Sequence, residues 1–362
     1  MQINVDKKYN EDIVRAISRI SLKGIIHPAL KLSRINIKNN KIIISSTNLS
    51  IGVTIEIPVV NDTEKEIFIE TLPFERAISG MLNSPEISFD FKDNYLELKT
   101  KIAKAKIPYQ NGEDMPNIPV VIGESMVLPA AIFKKAIQLT IPGASTTDIK
   151  PELASVYVSL KNNSITSVAT DAFQLIEFTD SVTTNKDLAF LIPAKEAGDV
   201  LKIIENIDGA ITGSYTENLF EIKTNTTTVV VKLTNGLFPD YNAIIPKEEK
   251  GGVRLLRNDL DSAMRFLSQI KSENNQIVFN VNQGNIVLTT KNVSGGDSEF
   301  IINSTLTGDA FSGTVLFSHL KTLAVNIPSE SIYISYYGNN KPFIAVPGQG
   351  TGFRYLMMPI AS

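Results

Sequence analysis

The sequence repeats itself at long range. Residues 35–48, INIKNNKIIISSTN, are echoed about 123 positions later by residues 158–171, VSLKNNSITSVATD. Both read as strand, Asn-rich turn, strand. A second echo at a similar offset pairs NYLELKT, starting at Asn94, with NLFEIKT, starting at Asn218; four positions are identical and the other three stay apolar. Two motifs recurring at one spacing point to duplication, and 362 residues hold almost three such periods. The reading is a triplicated domain of about 120 residues per copy, too long a period for a solenoid of short repeats.

Composition narrows the class. With 43% hydrophobic and 20% charged residues, each copy has enough apolar material for a core, and no apolar run is long enough to span a bilayer. The first thirty residues carry Lys7, Lys8, Glu11, Asp12, Arg15, Arg19 and Lys23, which leaves no apolar core for a secretory signal, so a cytoplasmic location is expected. The absence of cysteine rules out disulfide and thiolate chemistry. A net charge of −3 does not advertise a nucleic-acid partner, but a basic face can hide within an acidic average.

Residues 10–22 place Ile13, Val14, Ile17 and Ile20 at helical spacing, with Arg15 and Arg19 one turn apart on the other side. Strands follow over 32–37, 41–46 and 51–60, then a helix over 72–83 with Pro73 in its first turn, then strands over 86–91, 95–100 and 104–108. The second copy repeats this order with helices over 129–140 and 193–206, and the third with helices over 257–270 and 318–325. Connectors near Ile122-Gly123 and at KEEKGG, residues 247–252, set expected domains at 1–122, 123–250 and 251–362. Each copy then offers two helices and roughly eight strands, an α+β layer. The lysine-studded KIAKAKI, residues 101–107, reads as an edge strand protected against uncontrolled pairing. A chain of such units satisfies its two terminal edges by joining another copy head to tail, and closes a ring if the rotation allows.

Catalytic constellations are scarce. The two histidines, His27 and His319, have no cysteine beside them, so neither a zinc site nor a Cys/His nucleophile is expected. GQGTGF, residues 348–353, lacks the Gly-Lys-Ser/Thr of a phosphate loop and leads into a strand, so it reads as a turn. Glu248-Glu249 reads as solvated charge in a linker. Adjacent Ser318 and His319 do not make a triad. An enzyme, a metal and a cofactor are all unexpected.

Four segments carry a family resemblance: LPAAIFKKAI (128–137), VATDAFQLI (168–176), LFPDYNAIIP (237–246) and the terminal YLMMPI (355–360). In order and spacing they resemble the bacterial sliding clamp, the beta subunit of DNA polymerase III, over essentially the whole chain. The resemblance implies a homodimeric ring of six like domains, helices lining the hole and sheets outside, which encircles duplex DNA without sequence preference. It tethers the replicative polymerase and also serves the clamp loader and other clients carrying a clamp-binding motif. It implies an accessory, non-catalytic role.

A sliding tether needs diffuse attraction to phosphates, not base readout. The six expected helices hold ten basic and eight acidic residues, a slight excess of positive charge. By the resemblance, Lys134, Lys135, Lys195 and Lys202 face DNA in the second domain, and Arg15, Arg19, Lys23, Arg76, Arg265 and Lys321 in the others. The resemblance further implies a pocket for client peptides walled by Leu153, Thr170, Leu175, Pro239, Ile244, Leu356, Met358 and Pro359, its methionine suited to adaptable recognition.

The sequence departs from the family in places. Ala172, Phe173 and Gln174 stand where many relatives have Gly-His-Arg, and the tail ends Ala361-Ser362 in place of a basic residue and leucine. Residues 147–152 lack the paired aromatics some relatives use against DNA, and Gly24, beside Lys23, stands where a basic residue is common. The competing reading is a repeat-built, β-rich structural or adhesion protein with no role on DNA.

Overall fold

In the computed structural model, which describes residues 1–20, 27–60, 63–184, 186–270, 274–291, 293, 295–350 and 352–360, both Asn-rich turns are two-residue hairpin loops. Asn39 and Asn40 have φ of 51° and 57°, and Asn162 and Asn163 have φ of 52° and 56°. Asparagine tolerates this left-handed geometry, and a turn of that twist matches the twist of the strands it joins. The second turn of each echo is also the same device. Asn48 Oδ1 accepts from the amides of Ser50 and Ile51; 123 positions later, Asp171 Oδ1 accepts from Phe173 and Gln174.

The first repeat runs β1 (Gln2–Asp6), α1 (Lys7–Ile20), β2 (Leu32–Lys38), β3 (Lys41–Thr47), β4 (Ile51–Pro58), β5 (Lys65–Glu70), α2 (Thr71–Met81), β6 (Glu86–Phe91), β7 (Tyr95–Lys99) and β8 (Lys104–Pro108). The second runs β9 (Glu124–Pro129), α3 (Ala130–Thr140), β10 (Ser155–Lys161), β11 (Ser164–Thr170), β12 (Gln174–Ser181), β13 (Leu188–Pro193), α4 (Ala194–Ile203), β14 (Ala210–Tyr215), β15 (Leu219–Lys223) and β16 (Thr227–Lys232). The third runs β17 (Gly251–Leu256), α5 (Arg257–Leu267), β18 (Gln276–Asn282), β19 (Asn285–Lys291), β20 (Asp297–Asn303), β21 (Thr305–Gly308), β22 (Phe311–Leu316), α6 (Phe317–Asn326), β23 (Ser331–Tyr336), β24 (Phe343–Pro347) and β25 (Phe353–Met357). Periodicity located the six helices to within a few residues. It passed over the short strands β1 and β5, where only two residues of each are buried.

Strand pairing also recurs. The orders β1-β6-β7-β8, β9-β14-β15-β16 and β17-β23-β24-β25 are equivalent, as are β5-β2-β3-β4, β13-β10-β11-β12 and β22-β18-β19-β20. β4 pairs antiparallel with β16, and β12 with β25, so the fourth strand of one repeat joins the last strand of the next. β8 and β20 are left as sheet ends.

The chain divides into two compact units, Met1–Lys134 with Lys195–Asn235, and Lys135–Ala194 with Gly236–Ser362. The first unit holds the β1-β6-β7-β8 sheet and the eight-stranded sheet ending in β5 and β9. Here α1 buries Ile13, Ile17 and Ile20, while Phe74 of α2 meets Phe89 edge-on at 6.1 Å. Each such fully buried side chain contributes roughly 1.5–3 kcal/mol. The second unit holds the nine-stranded sheet from β13 to β21 and the sheet β20-β19-β18-β22. Its core includes Phe279, Phe311 and Phe343, whose rings lie 4.7–6.2 Å apart.

Glu248 and Glu249 are both exposed, as expected of solvated charge. The Glu249 carboxylate also accepts from the hydroxyl of Tyr333 and, at 2.8 Å, from Ser335 Oγ. Two hydroxyls from β23 converge on it because Gly251 and Gly252 enter β17 alongside that strand. Among the described residues, no helix is long and apolar enough to cross a membrane.

Candidate functional site

The β11–β12 hairpin and β24–β25 meet in the second unit through the register pair Leu175–Leu356. Alternate residues of these strands face one side of the sheet, and Val168, Leu175, Ile344 and Leu356 form a buried apolar cluster there. Tyr157, Phe238, Tyr241, Ile245, Tyr337 and Val346 pack against it while staying partly exposed. The rings of Tyr157 and Phe238 stack at 5.1 Å, and Tyr241 meets Phe238 edge-on at 6.3 Å. Burial, reinforced by the charge of Glu177, holds the Tyr241 hydroxyl well above its usual pKa.

Of the expected wall residues, Leu175 and Leu356 lie in the cluster, and Thr170 sits opposite Leu175 across the hairpin. Leu153 is buried, Met358 and Pro359 are half-buried, and Pro239 and Ile244 are exposed. The FPDY segment reaches the cluster through Phe238 and Tyr241, and Ile245 follows. Sequence reading named the proline and Ile244 of this loop and missed its aromatics. The available signal was their place beside Asp240, whose carboxylate accepts from the Asn242 amide at 3.2 Å and fixes the short helical turn over Tyr241–Ile244.

A polar network adjoins the cluster. Asp171 Oδ2 accepts from Gln174 Nε2 at 3.0 Å and lies 3.9 Å from His319 Nε2. The buried hydroxyl of Tyr355 lies 2.5 Å from Gln174 Oε1 and 2.9 Å from the His319 carbonyl, so its single proton is shared between two acceptors. The hairpin tip is thereby tied to β25 and α6. At that tip Ala172 takes φ of 77°, a conformation that favours glycine, and Phe173 stands 62% exposed. The Phe173 carbonyl accepts from the Met358 amide at 2.8 Å, placing the tip beside the terminal strip.

Burial pushes the His319 imidazole below its usual pKa, with Asp171 pulling the other way. The unfolded chain therefore takes up this proton first, near pH 6.5. Stability is fully retained above that value, is expected to fall as the pH drops below it, and levels off once the folded imidazole is itself protonated. The check is thermal unfolding from pH 7.5 to 5 for the native chain and His319→Gln. The difference between the two profiles should slope by at most about 1.4 kcal/mol per pH unit; parallel profiles would refute the assignment.

The basic helix positions are dispersed. Arg19, Arg76, Lys135, Lys195, Lys202, Arg265 and Lys321 are exposed, and Arg15 and Lys134 are half-buried. Arg15 pairs with Asp12 at 2.9 Å and Arg265 with Asp261 at 2.9 Å, while Lys202 lies 4.0 Å from Glu205. Lys134 Nζ donates to the carbonyls of Glu205 and Ile207 at 2.8 and 2.9 Å. Lys135 lies over the Phe178 ring at 5.0 Å. Arg19 and Lys195 both draw the Asp199 carboxyl down, though burial, the larger effect, raises it. Lys23, Gly24 and the Ala361-Ser362 tail lie outside the described residues.

Comparison with known proteins gives one consistent result. The family model described as "DNA polymerase III beta subunit, central domain" matches residues 127–240. The chain is 23% identical over 370 residues to a protein of Staphylococcus epidermidis named "Beta sliding clamp", covering 96% of this chain and 95% of that protein. Its fold superposes on the DNA polymerase III beta subunit of Thermotoga maritima with a TM-score of 0.91 at 18% identity, covering 100% of this chain and 99% of the other. The beta subunit of the DNA polymerase of Streptococcus pyogenes gives a TM-score of 0.91 at 19% identity, with both chains covered in full.

Proposed function

We infer that this chain belongs to the bacterial sliding clamp family, the beta subunit of DNA polymerase III, and works as a clamp on DNA. The similarity runs the length of the chain, and it does not favour the adhesion reading. From that premise the protein is an accessory subunit that tethers the replicative polymerase, requires no cofactor and acts in the cytoplasm. The repeat supports domains at 1–122, 123–250 and 251–362, although the compact units cut across the second of these.

The observation that carries the reading is the strand pairing. Within the chain, the fourth strand of one repeat joins the last strand of the next, twice over. One such strand is left at each end of the series, β20 and β8. Two copies joined head to tail use both pairs of edges, and the result is a closed homodimer of six domains. Duplex DNA threads the ring and is held by topology, with the long side chains of Arg15, Arg19, Lys23, Arg76, Lys134, Lys135, Lys195, Lys202, Arg265 and Lys321 supplying a diffuse attraction to phosphates.

Client peptides, including those of the polymerase and the clamp loader, dock on the apolar cluster. Leu175 and Leu356 form its floor, Leu153, Thr170, Pro239, Ile244, Met358 and Pro359 line its edges, and Tyr157, Phe238 and Tyr241 are added to the walls. Partly exposed aromatic rings over a buried floor suit short apolar anchors.

Retention on DNA tests the central claim. Protein assembled on circular duplex should stay bound through a high-salt wash and be released when the circle is cut once. Equal retention on the linear product would overturn the reading.

A further inference from the structure

We propose that the two free edges pair in one register, with Lys106 opposite the partner's Asp297 and Lys104 opposite the partner's Glu299. The proposal rests on the ring reading and adds the identity of the contacts. The register follows from the two internal joints. The three hairpins resume after their turns at Lys41, Ser164 and Asn285; six residues on, Thr47, Thr170 and Lys291 face Gly52, Leu175 and Asp297. Gly52 pairs with Val230, and Leu175 with Leu356. Val230 lies opposite Glu221 of NLFEIKT; the matching glutamate of NYLELKT is Glu97, which lies opposite Lys106. Asp297 therefore meets Lys106, and antiparallel pairing then sets Ala105 against Ser298, Lys104 against Glu299 and Ala103 against Phe300.

Charge agrees with this register. At the β12–β25 joint, the position equivalent to Glu299 is Glu177 and that equivalent to Lys104 is Arg354, already an ion pair at 3.6 Å. On the outward face of the sheet, Glu97 stands directly across from Lys106 in one copy, and Lys291 across from Asp297 in the other. Joined, they form a row of alternating sign, Glu97, Lys106, the partner's Asp297 and the partner's Lys291. Lys104, now 2.9 Å from Glu97, gains a second carboxylate. Opposite charges directly across a strand pair are stabilising and like charges destabilising.

Burial agrees as well. At the internal joints the inward positions Val53, Ile55, Ile176, Phe178, Val229 and Tyr355 are fully buried. Their counterparts at the free edges, Ser298, Phe300 and Ala105, are only half-buried. Phe266 of α5, whose ring lies 5.7 Å from that of Phe300, is 47% exposed. A second copy of β8 supplies the missing cover.

The native chain has no cysteine, so Ala105→Cys with Ser298→Cys in one chain reports the register directly. Directly opposed residues lie about 4.5–5.5 Å apart between Cα atoms, within disulfide reach. Mild oxidation should give covalent dimers, and Ala105→Cys with Phe300→Cys, displaced by two positions, should not. In parallel, Lys104→Glu with Lys106→Glu should weaken dimerisation, followed by sedimentation, about tenfold or more. Adding Asp297→Lys and Glu299→Lys should bring it back to within about threefold. A dimer that cross-links only through the displaced pair, or whose reversal is not rescued, overturns the register and leaves the ring standing. A chain that stays monomeric at all concentrations overturns the ring reading and the register together.

Discussion

Replacing Phe343 by alanine is expected to cost the second unit about 3–5 kcal/mol. The ring is 1% exposed and is enclosed on several sides: Phe279 lies at 4.7 Å, Tyr336 at 6.0 Å and Phe311 at 6.2 Å, and its edge approaches Gly313, where an added Cβ would come within 2.5 Å of it. Glycine in β22 is thus the complement of phenylalanine in β24. Truncation removes the hydrophobic contribution and opens a cavity that three aromatic neighbours cannot collapse to fill. Hydrogen exchange is the suitable readout, because it reports the two units separately. Amides of β18, β22 and β24 should exchange at least about a hundredfold faster, while those of β2 and β3 hold their native rates. Unchanged protection in β24 would contradict the packing argument.

Tyr241→Ala should lower affinity for a short client peptide with apolar anchors by about thirtyfold, with little change in thermal stability. The side chain is only partly buried, so folding draws little from it, but it closes the row Tyr157–Phe238–Tyr241 over the Leu175–Leu356 floor. Large aromatic side chains at the centre of a small apolar site carry a disproportionate share of binding energy. Fluorescence polarisation of a labelled peptide measures the loss, and retention on circular DNA serves as the control that should not move. Native peptide affinity in the variant would remove the cluster as the docking site.

Much of the fold was legible because it depends on local rules. Ile13, Ile17 and Ile20 mark α1 by their spacing, and Asn39-Asn40 and Asn162-Asn163 announce hairpins because few other residues accept positive φ twice in succession. β1 and β5 were hidden because each runs straight into a helix, Asp6 into α1 and Glu70 into α2, with no turn residue to mark where the strand ends. The candidate site was legible only in part. Leu175 and Leu356 could be named from the segments that carry the resemblance. Val168 and Ile344, with which they pack, look like any other core residue of a strand, and only their meeting in one cluster distinguishes them.

Among the basic residues, Lys134 could be assigned to a helix from the sequence, but its two carbonyl partners at Glu205 and Ile207 are about seventy positions away. Nothing in a linear pattern encodes such a contact. The joints between repeats share this property. The sequence alone carries the threefold repetition, the helix–strand order and the lysine-rich edge, since each rests on spacing within a short window. Only the tertiary structure decides that β4 takes β16 and β12 takes β25, leaving β8 and β20 as sheet ends, because strand pairing depends on which distant edges and charges fit together.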